Sequence, residues 1–369
     1  MAGEDERLQR RRRARRGCDR ILSGVRELTV RERLAALAET GPADDEPDVY
    51  GTGGPVTALE ERVAALLDKP AALFFPTGTM AQQVALRCWA RRTGNATVAM
   101  HPLAHPEVHE RHAYAVLSRL DSVWPTRERR HPTAAEVREH PEPFGTLLLE
   151  LPLRDAGYLL PSWDELTATV AAARERGAKV HFDGARIWET TTHFGHGLGA
   201  IAGLADSVYV SFYKTLGGIS GAALAGPADL IGEARAWRHR YGGQLFQQWP
   251  AALAALAGLD AVLPRLPEYV AHARTVAAAL ARVPGARIHP DPPHTHQFQW
   301  WLPHSAGALD DAAVRLAEEE RIWLCGGWAV GAPGYALAEV TVADPALAWT
   351  PDDVDAAVKA LLSRLAPTR

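Results

Sequence analysis

Lysine is scarce in this chain. Four lysines, Lys69, Lys179, Lys214 and Lys359, stand against 36 arginines in 369 residues, so few candidates compete for a role that only lysine can fill. Lys69 sits in a turn before Pro70, Lys179 precedes an apolar run, and Lys359 falls on an amphipathic helical pattern near the C-terminus; all three are expected to be solvated. Lys214 differs, because it follows the apolar run Ser207 to Phe212 and precedes Leu216-Gly-Gly-Ile-Ser-Gly221, where small residues let a ligand approach the backbone. An amine in such a cleft loses its proton readily and can add to a carbonyl to form an imine. Taken alone, a lysine at a strand end reaching for water fits equally well.

Asp183 lies 31 residues earlier, in His181-Phe-Asp-Gly-Ala-Arg186, about one strand-connection-strand unit from Lys214. Both groups are then expected at the carboxyl edge of one sheet, where open α/β folds bind ligands. A carboxylate there can pair with a pyridinium nitrogen and make the ring an electron sink, or it can simply cap a helix. The segment Phe75-Pro-Thr-Gly-Thr-Met80 precedes a helical pattern, and small residues at a helix start leave backbone N–H groups that can hold a phosphate. His105, in His101-Pro-Leu-Ala-His105, follows another strand end and is suited to stacking on an aromatic ring or relaying a proton. Ser211-Phe-Tyr-Lys214 is formally S-x-x-K, but the S-D-N and K-T-G segments that accompany it in serine β-lactamases are absent. Neither His193 nor His196 sits in a metal-ligand pattern, so no metal is assigned.

The elements that must position these residues alternate along the chain. Apolar runs Ala71 to Phe75, Ala96 to Met100, Thr146 to Leu151, Ala178 to Phe182 and Ser207 to Phe212 predict buried strands with helices between several of them. Ser162 and Glu165 form a capping box for one such helix, which ends at Gly177. The order predicts an α/β fold, a mainly parallel sheet with helices on both faces, followed by a smaller C-terminal α+β domain. Three parts are expected: residues 1–45 as an N-terminal arm and helix, 46–250 as the large domain and 251–369 as the small one. The Ala/Leu-rich stretch 251–283 should be broken at Pro264 and Pro267.

Composition narrows the function classes. Hydrophobic content of 47% and a net charge of −4 fit a globular chain with no electrostatic reason to bind nucleic acid. Six arginines between Arg10 and Arg16 are the local exception, expected as a solvated, disordered arm. Cys18, Cys88 and Cys325 are odd in number and widely spaced, and no run of eighteen apolar residues occurs, so a reduced, cytoplasmic chain without a membrane span is expected.

Several segments together resemble the pyridoxal 5'-phosphate (PLP) dependent threonine aldolase and β-eliminating lyase family, of the aspartate-aminotransferase fold (fold type I). They are Val49-Tyr-Gly51, Leu59-Glu-Glu-Arg62, Phe75-Pro-Thr-Gly-Thr79, Leu103-Ala-His105, Phe182-Asp-Gly-Ala-Arg186, Ser211 to Gly221 and Tyr241-Gly-Gly-Gln244. The resemblance implies that Gly78, Thr79 and the Met80 amide hold the cofactor phosphate and that Ser211 is among the cofactor-binding residues. It further implies that His105 stacks on the ring, Asp183 meets the ring nitrogen, Lys214 forms the imine and Arg186 reaches the substrate carboxylate. A homodimer or homotetramer acting on a small amino acid is implied as well. The expected reaction is cleavage of a β-hydroxy-α-amino acid to glycine and an aldehyde; β-elimination, transamination or racemisation is the alternative, and a catalytically silent PLP-binding regulator ranks below both.

The chain also departs from that pattern. Cys18-Asp-Arg-Ile-Leu-Ser-Gly24 replaces a D-x-R-S-D-T-V-T segment, Thr52 and Gly53 replace an acidic pair, and Phe246 stands where an arginine is usual. Glu339 stands at the place of a carboxylate-binding arginine. A lone glutamate there would repel a substrate carboxylate, so either the loop at Ser23 compensates or the substrate is not an ordinary α-amino acid.

Overall fold

The computed structural model describes residues 2–365, with side chains from residue 6 onward. Contacts divide the chain into two compact units, residues 32–265 and the N-terminal residues up to Arg31 together with those from Leu266 onward. Residues 2–31 therefore belong with the C-terminal unit, and the proline-interrupted region belongs to both. Helix Trp249–Ala261 lies in the large unit, a 3-10 turn Leu263–Arg265 carries Pro264, and a new helix, Leu266–Leu280, begins the other.

The N-terminal arginines are not a disordered arm. They lie on α1 (Ala2–Arg16), which packs on helix Ala306–Glu320. Ala14 and Cys18 are buried there with Ile21, Val314, Ala317 and Trp323. Arg10 pairs with Glu318 at 2.6 Å and Arg16 with Glu27 at 3.0 Å. Such exposed pairs contribute little on their own, so the apolar stripe around Ala14, invisible beneath the charge density, docks the helix.

The large unit contains α2 (Val30–Ala38, from Glu32 onward), α3 (Gly54–Leu66), α4 (Gly78–Thr93) and a seven-stranded sheet. Its strands are β1 (Ala71–Phe75), β2 (Thr97–Ala99), β3 (Asp121–Val123), β4 (Thr146–Glu150), β5 (Lys179–Gly184), β6 (Ser207–Ser211) and β7 (Ala222–Gly226). Their order across the sheet is β1-β7-β6-β5-β4-β2-β3. All neighbouring pairs are parallel except those made by β7, which runs antiparallel to β1 and β6. α4 covers one face through Ala81, Val84, Ala85 and Cys88. Every residue of β4, β6 and β7 is buried, which is why these strands are apolar runs rather than alternating ones.

In the other unit, β8 (Arg287–His289), β9 (Gln297–Leu302), β10 (Ala329–Val330) and β11 (Ala336–Thr341) form an antiparallel sheet in the order β10-β11-β9-β8. Phe298, Trp300, Leu302, Ala336, Ala338 and Val340 form its core with three helices. The expected strand at Ile322 pairs with Arg20 and Ile21 instead. All three cysteines are free and buried, and among the described residues no helix is long and apolar enough to cross a membrane.

Candidate active site

Parallel register brings the predicted groups to one sheet edge. Asp183 is the penultimate residue of β5, opposite Glu150 on β4 and Tyr209 on β6, and Lys214 lies three residues past the end of β6. Asp183 is fully buried; its Oδ2 accepts from Gln82 Nε2 at 2.6 Å and its Oδ1 from the Ala185 amide at 3.1 Å. Burial pushes its carboxyl up, opposed by His105 and the Ala185 amide.

The amine of Lys214 is half-buried above the Tyr213 ring, 5.1 Å from its centroid, and has no hydrogen-bond or ion-pair partner among the described residues. Burial first, then Arg186 and Arg154, push its pKa down, while Asp183 and Glu150 hold it up. Lys214 and Asp183 thus share one electrostatic environment. Lys69 is not the solvated residue expected: its Nζ donates to the Ala205 carbonyl at 2.7 Å and burial lowers its pKa. The ammonium of Lys179 bridges Asp206 at 3.2 Å, and Lys359 is exposed.

His105 opens the short helix His105–Val108. Its amide donates to Glu150 Oε2 at 2.8 Å, and its Nδ1 lies 3.2 Å from Glu110 Oε1. Burial alone would lower the imidazole pKa, but Glu110, Asp183 and Glu150 outweigh it and the net shift is upward. Glu110 is in turn held by Gln83 Nε2 at 3.2 Å. Glu150 is buried and pushed upward by desolvation and by Asp183, and it also accepts the Arg154 amide.

α4 supplies two of these contacts. Its cap, Thr77, accepts the Met80 amide on Oγ1 at 3.3 Å, so Met80 offers less to a phosphate than expected, whereas the amides of Gly78 and Thr79 lie in the first turn and have no acceptor within the helix. A Cβ at Gly78 would stand 2.1 Å from the Tyr209 hydroxyl, so only glycine brings the backbone so near β6. Consecutive residues of the same helix then present Gln82 to Asp183 and Gln83 to Glu110. Ser211 is buried at the end of β6, and its hydroxyl has no hydrogen-bond partner among the described residues. Arg186 lies over the Tyr158 ring at 5.5 Å with its Nε buried and unpaired.

Ser23 and Glu339 come together in the other unit. Ser23 Oγ accepts the Thr341 amide at 3.0 Å, and both residues line a cavity of about 330 Å³ with Arg11, Arg12, Arg15 and Glu27. Glu339 therefore faces a cavity rich in arginine rather than standing alone. Phe246 packs edge-on against Tyr50 at 5.5 Å.

Gln82, Gln83, Glu110 and Glu150 were not anticipated. Glu150 carries a signal in retrospect, a charged residue closing an otherwise apolar strand, and Gln82-Gln83 interrupts the apolar face of a helix. Glu110 has none, because it lies in irregular chain just past the short helix that His105 opens.

Comparison with known proteins decides what this arrangement belongs to. The family described as beta-eliminating lyase matches residues 29–300. The chain belongs to the beta-eliminating lyase family. It is an enzyme of the lyase class. The low specificity L-threonine aldolase of Escherichia coli K12 is 32% identical over 257 residues, 66% of this chain and 74% of that one. A Listeria monocytogenes structure, a candidate L-allo-threonine aldolase, is 31% identical with a TM-score of 0.91, covering 97% of this chain and all of its own. An Exiguobacterium structure, a candidate aromatic amino acid beta-eliminating lyase/threonine aldolase, is 34% identical with a TM-score of 0.90 over 96% of this chain and 99% of that one.

Proposed function

We propose that this beta-eliminating lyase family member is a PLP-dependent aldolase that cleaves a threonine-like β-hydroxy-α-amino acid between Cα and Cβ, releasing an aldehyde and leaving glycine. The observation that carries the reading is the meeting of Lys214, Asp183 and the His105–Glu110 pair at the carboxyl edge of β4, β5 and β6. The site fits the cofactor. A buried, unpartnered Ser211 hydroxyl and two first-turn amides beside an obligatory glycine suit a phosphate, and a buried carboxylate across from an amine of lowered pKa suits a pyridine ring carrying an aldehyde.

Gly78, Thr79 and Ser211 would hold the phosphate, with the Met80 amide shared with Thr77. His105 would stack on the ring, Asp183 would meet its nitrogen and Lys214 would hold it covalently. Pyridoxal phosphate supplies an electron sink for the pair of electrons released when the Cα–Cβ bond breaks. The protein then has three tasks. Lys214, its proton loosened by burial and by Arg186, provides a neutral amine. Asp183 keeps a negative charge where a ring nitrogen must stay protonated. His105 takes the proton of the substrate hydroxyl on its outer nitrogen while Glu110 fixes the inner one. Arg186, with its unpaired Nε, binds the substrate carboxylate, and the arginines of α1 offset Glu339.

The test is product analysis with L-threonine, L-allo-threonine, serine, alanine and cysteine. Glycine with acetaldehyde from the threonines supports the aldolase reading. Pyruvate with ammonia from serine or cysteine and no glycine from either threonine would replace it by β-elimination, the reading that the family name favours. A homodimer or homotetramer in the cytoplasm completes the proposal: Leu34, Leu245 and Phe246 are exposed apolar side chains suited to a second copy, and three buried thiols suit a reducing compartment.

A further inference from the structure

A single line of hydrogen bonds runs from Asp183 into the protein and ends at Trp89. Trp89 Nε1 donates to Ser207 Oγ at 2.8 Å, Ser207 Oγ lies 2.7 Å from His181 Nδ1, His181 Nε2 lies 2.7 Å from Gln82 Oε1, and Gln82 Nε2 donates to Asp183 Oδ2 at 2.6 Å. All five side chains are at most 3% exposed. The fold brings them into line because two periodicities match. Gln82 and Trp89 are two turns apart on one face of α4, His181 and Asp183 are two apart on one face of β5, and Ser207 is the register partner of His181 on β6.

The direction of every bond is determined from both ends. An indole N–H can only donate, so Ser207 accepts there and has its own proton to give. A carboxylate wants a donor, so Gln82 turns its NH2 to Asp183 and its oxygen to His181. His181 must then donate from Nε2 and accept on Nδ1, which is the neutral imidazole. Burial favours that form and pushes the ring down to about 3. The chain is thus Trp89 to Ser207 to His181 to Gln82 to Asp183, all donors pointing at the carboxylate, and it contains no charge. The titratable and charged groups that do face Asp183 are His105, Glu110, Glu150, Tyr209, Arg186 and Lys214.

We propose that Gln82, His181, Ser207 and Trp89 are positioning residues that hold Asp183 ionised and fixed in aim without neutralising it, so that its charge is kept for a protonated ring. A lysine or arginine in place of Gln82 would also hold the carboxylate, but it would compete with the ring for the same charge. A donor chain of neutral groups stabilises the anion by dipoles alone, and its successive bonds polarise one another. The proposal rests on the reading that Asp183 meets the cofactor ring, and it deepens that reading by naming the groups that prepare Asp183 for it.

The experiment is an infrared titration of the Asp183 carboxyl in the full-length chain, with Asp183→Asn as the difference reference, alongside pyridoxal phosphate affinity by fluorescence quenching. Gln82→Met removes the last donor at nearly constant volume. It should raise the Asp183 midpoint by about 1–2 pH units, the worth of a hydrogen bond to a charged group, and weaken cofactor binding roughly tenfold. Ser207→Ala removes one oxygen in the middle of the chain and should move the midpoint the same way by a smaller amount; it carries the test alone if Gln82→Met does not fold. A purely structural role would lower thermal stability and leave the midpoint where it was, and an unmoved midpoint in Ser207→Ala and in folded Gln82→Met overturns the proposal. If instead Asp183→Asn binds pyridoxal phosphate as tightly as the parent, the reading of Asp183 as the ring's partner fails, while the effect of the chain on the Asp183 midpoint still stands or falls by the titration.

Discussion

Replacing Glu110 by glutamine should move the acidic limb of the aldol-cleavage pH profile downward. Glu110 is buried, with its side chain 1% exposed, and its Oε1 lies 3.2 Å from His105 Nδ1. Glutamine keeps the shape and an acceptor for Nδ1–H but removes the charge. A hydrogen bond to a charged partner is worth about 1.5–3 kcal/mol, or about 1–2 pH units. Because the His105 side chain is 32% exposed, the lower end applies, about one unit. The sign follows from the role. His105 must be neutral to take the hydroxyl proton, its pKa is raised in the parent by Glu110, Asp183 and Glu150 against burial, and kcat/KM therefore climbs with pH through that raised value. Without the Glu110 charge the climb occurs at lower pH, so the deficit of Glu110→Gln should be smallest in acid and grow toward neutral pH. The assay is acetaldehyde release from threonine between pH 5 and 9. An acidic limb that stays in place refutes His105 as the proton acceptor.

Lys214→Ala should lower kcat by about a thousandfold or more and abolish covalent retention of the cofactor, checked by turnover and by absorbance after desalting. Gly78→Ala brings a methyl group within 2.1 Å of the Tyr209 hydroxyl; pyridoxal phosphate binding should weaken, and Tyr209→Phe in the same chain should restore part of it. Ala14→Asp places an unpaired carboxylate among Cys18, Val314, Ala317 and Trp323 and should cost on the order of 2 kcal/mol in urea unfolding, whereas Arg16→Ala, at an exposed pair, should cost about 0.5 kcal/mol or less.

Much of this architecture is legible in the sequence because buried parallel strands announce themselves as apolar runs. Ala71–Phe75 stands where it was expected, and Thr146, Lys179 and Ser207 begin strands within a residue of expectation. Ala222–Gly226 was missed for a physical reason. It is made of alanine, leucine and glycine, poor strand formers by propensity, and it is a strand only because its small side chains fit between β1 and β6 under α4. Asp121–Val123 is three residues at the sheet edge with polar residues at two positions, too short to pattern. At the site, Lys214 and Asp183 could be picked out because a reactive residue type sat at a strand end. Gln82, Gln83 and Glu110 could not, since their meaning lies in what they face across space. The arginine-rich start reads as solvated because charge dominates its sequence, while the single buried face at Ala14 that docks it is one small residue among six arginines.

The most direct test is to reduce the purified, pyridoxal-phosphate-loaded protein with borohydride and locate the cofactor by peptide mass spectrometry. The chain offers two lysines whose pKa burial has lowered, Lys214 and Lys69, and only Lys214 shares an edge with Asp183 and His105. A reduced pyridoxyl group on the peptide containing Lys214 and on no other is the predicted result. Cofactor found on Lys69, or a protein that takes up none, would contradict the account.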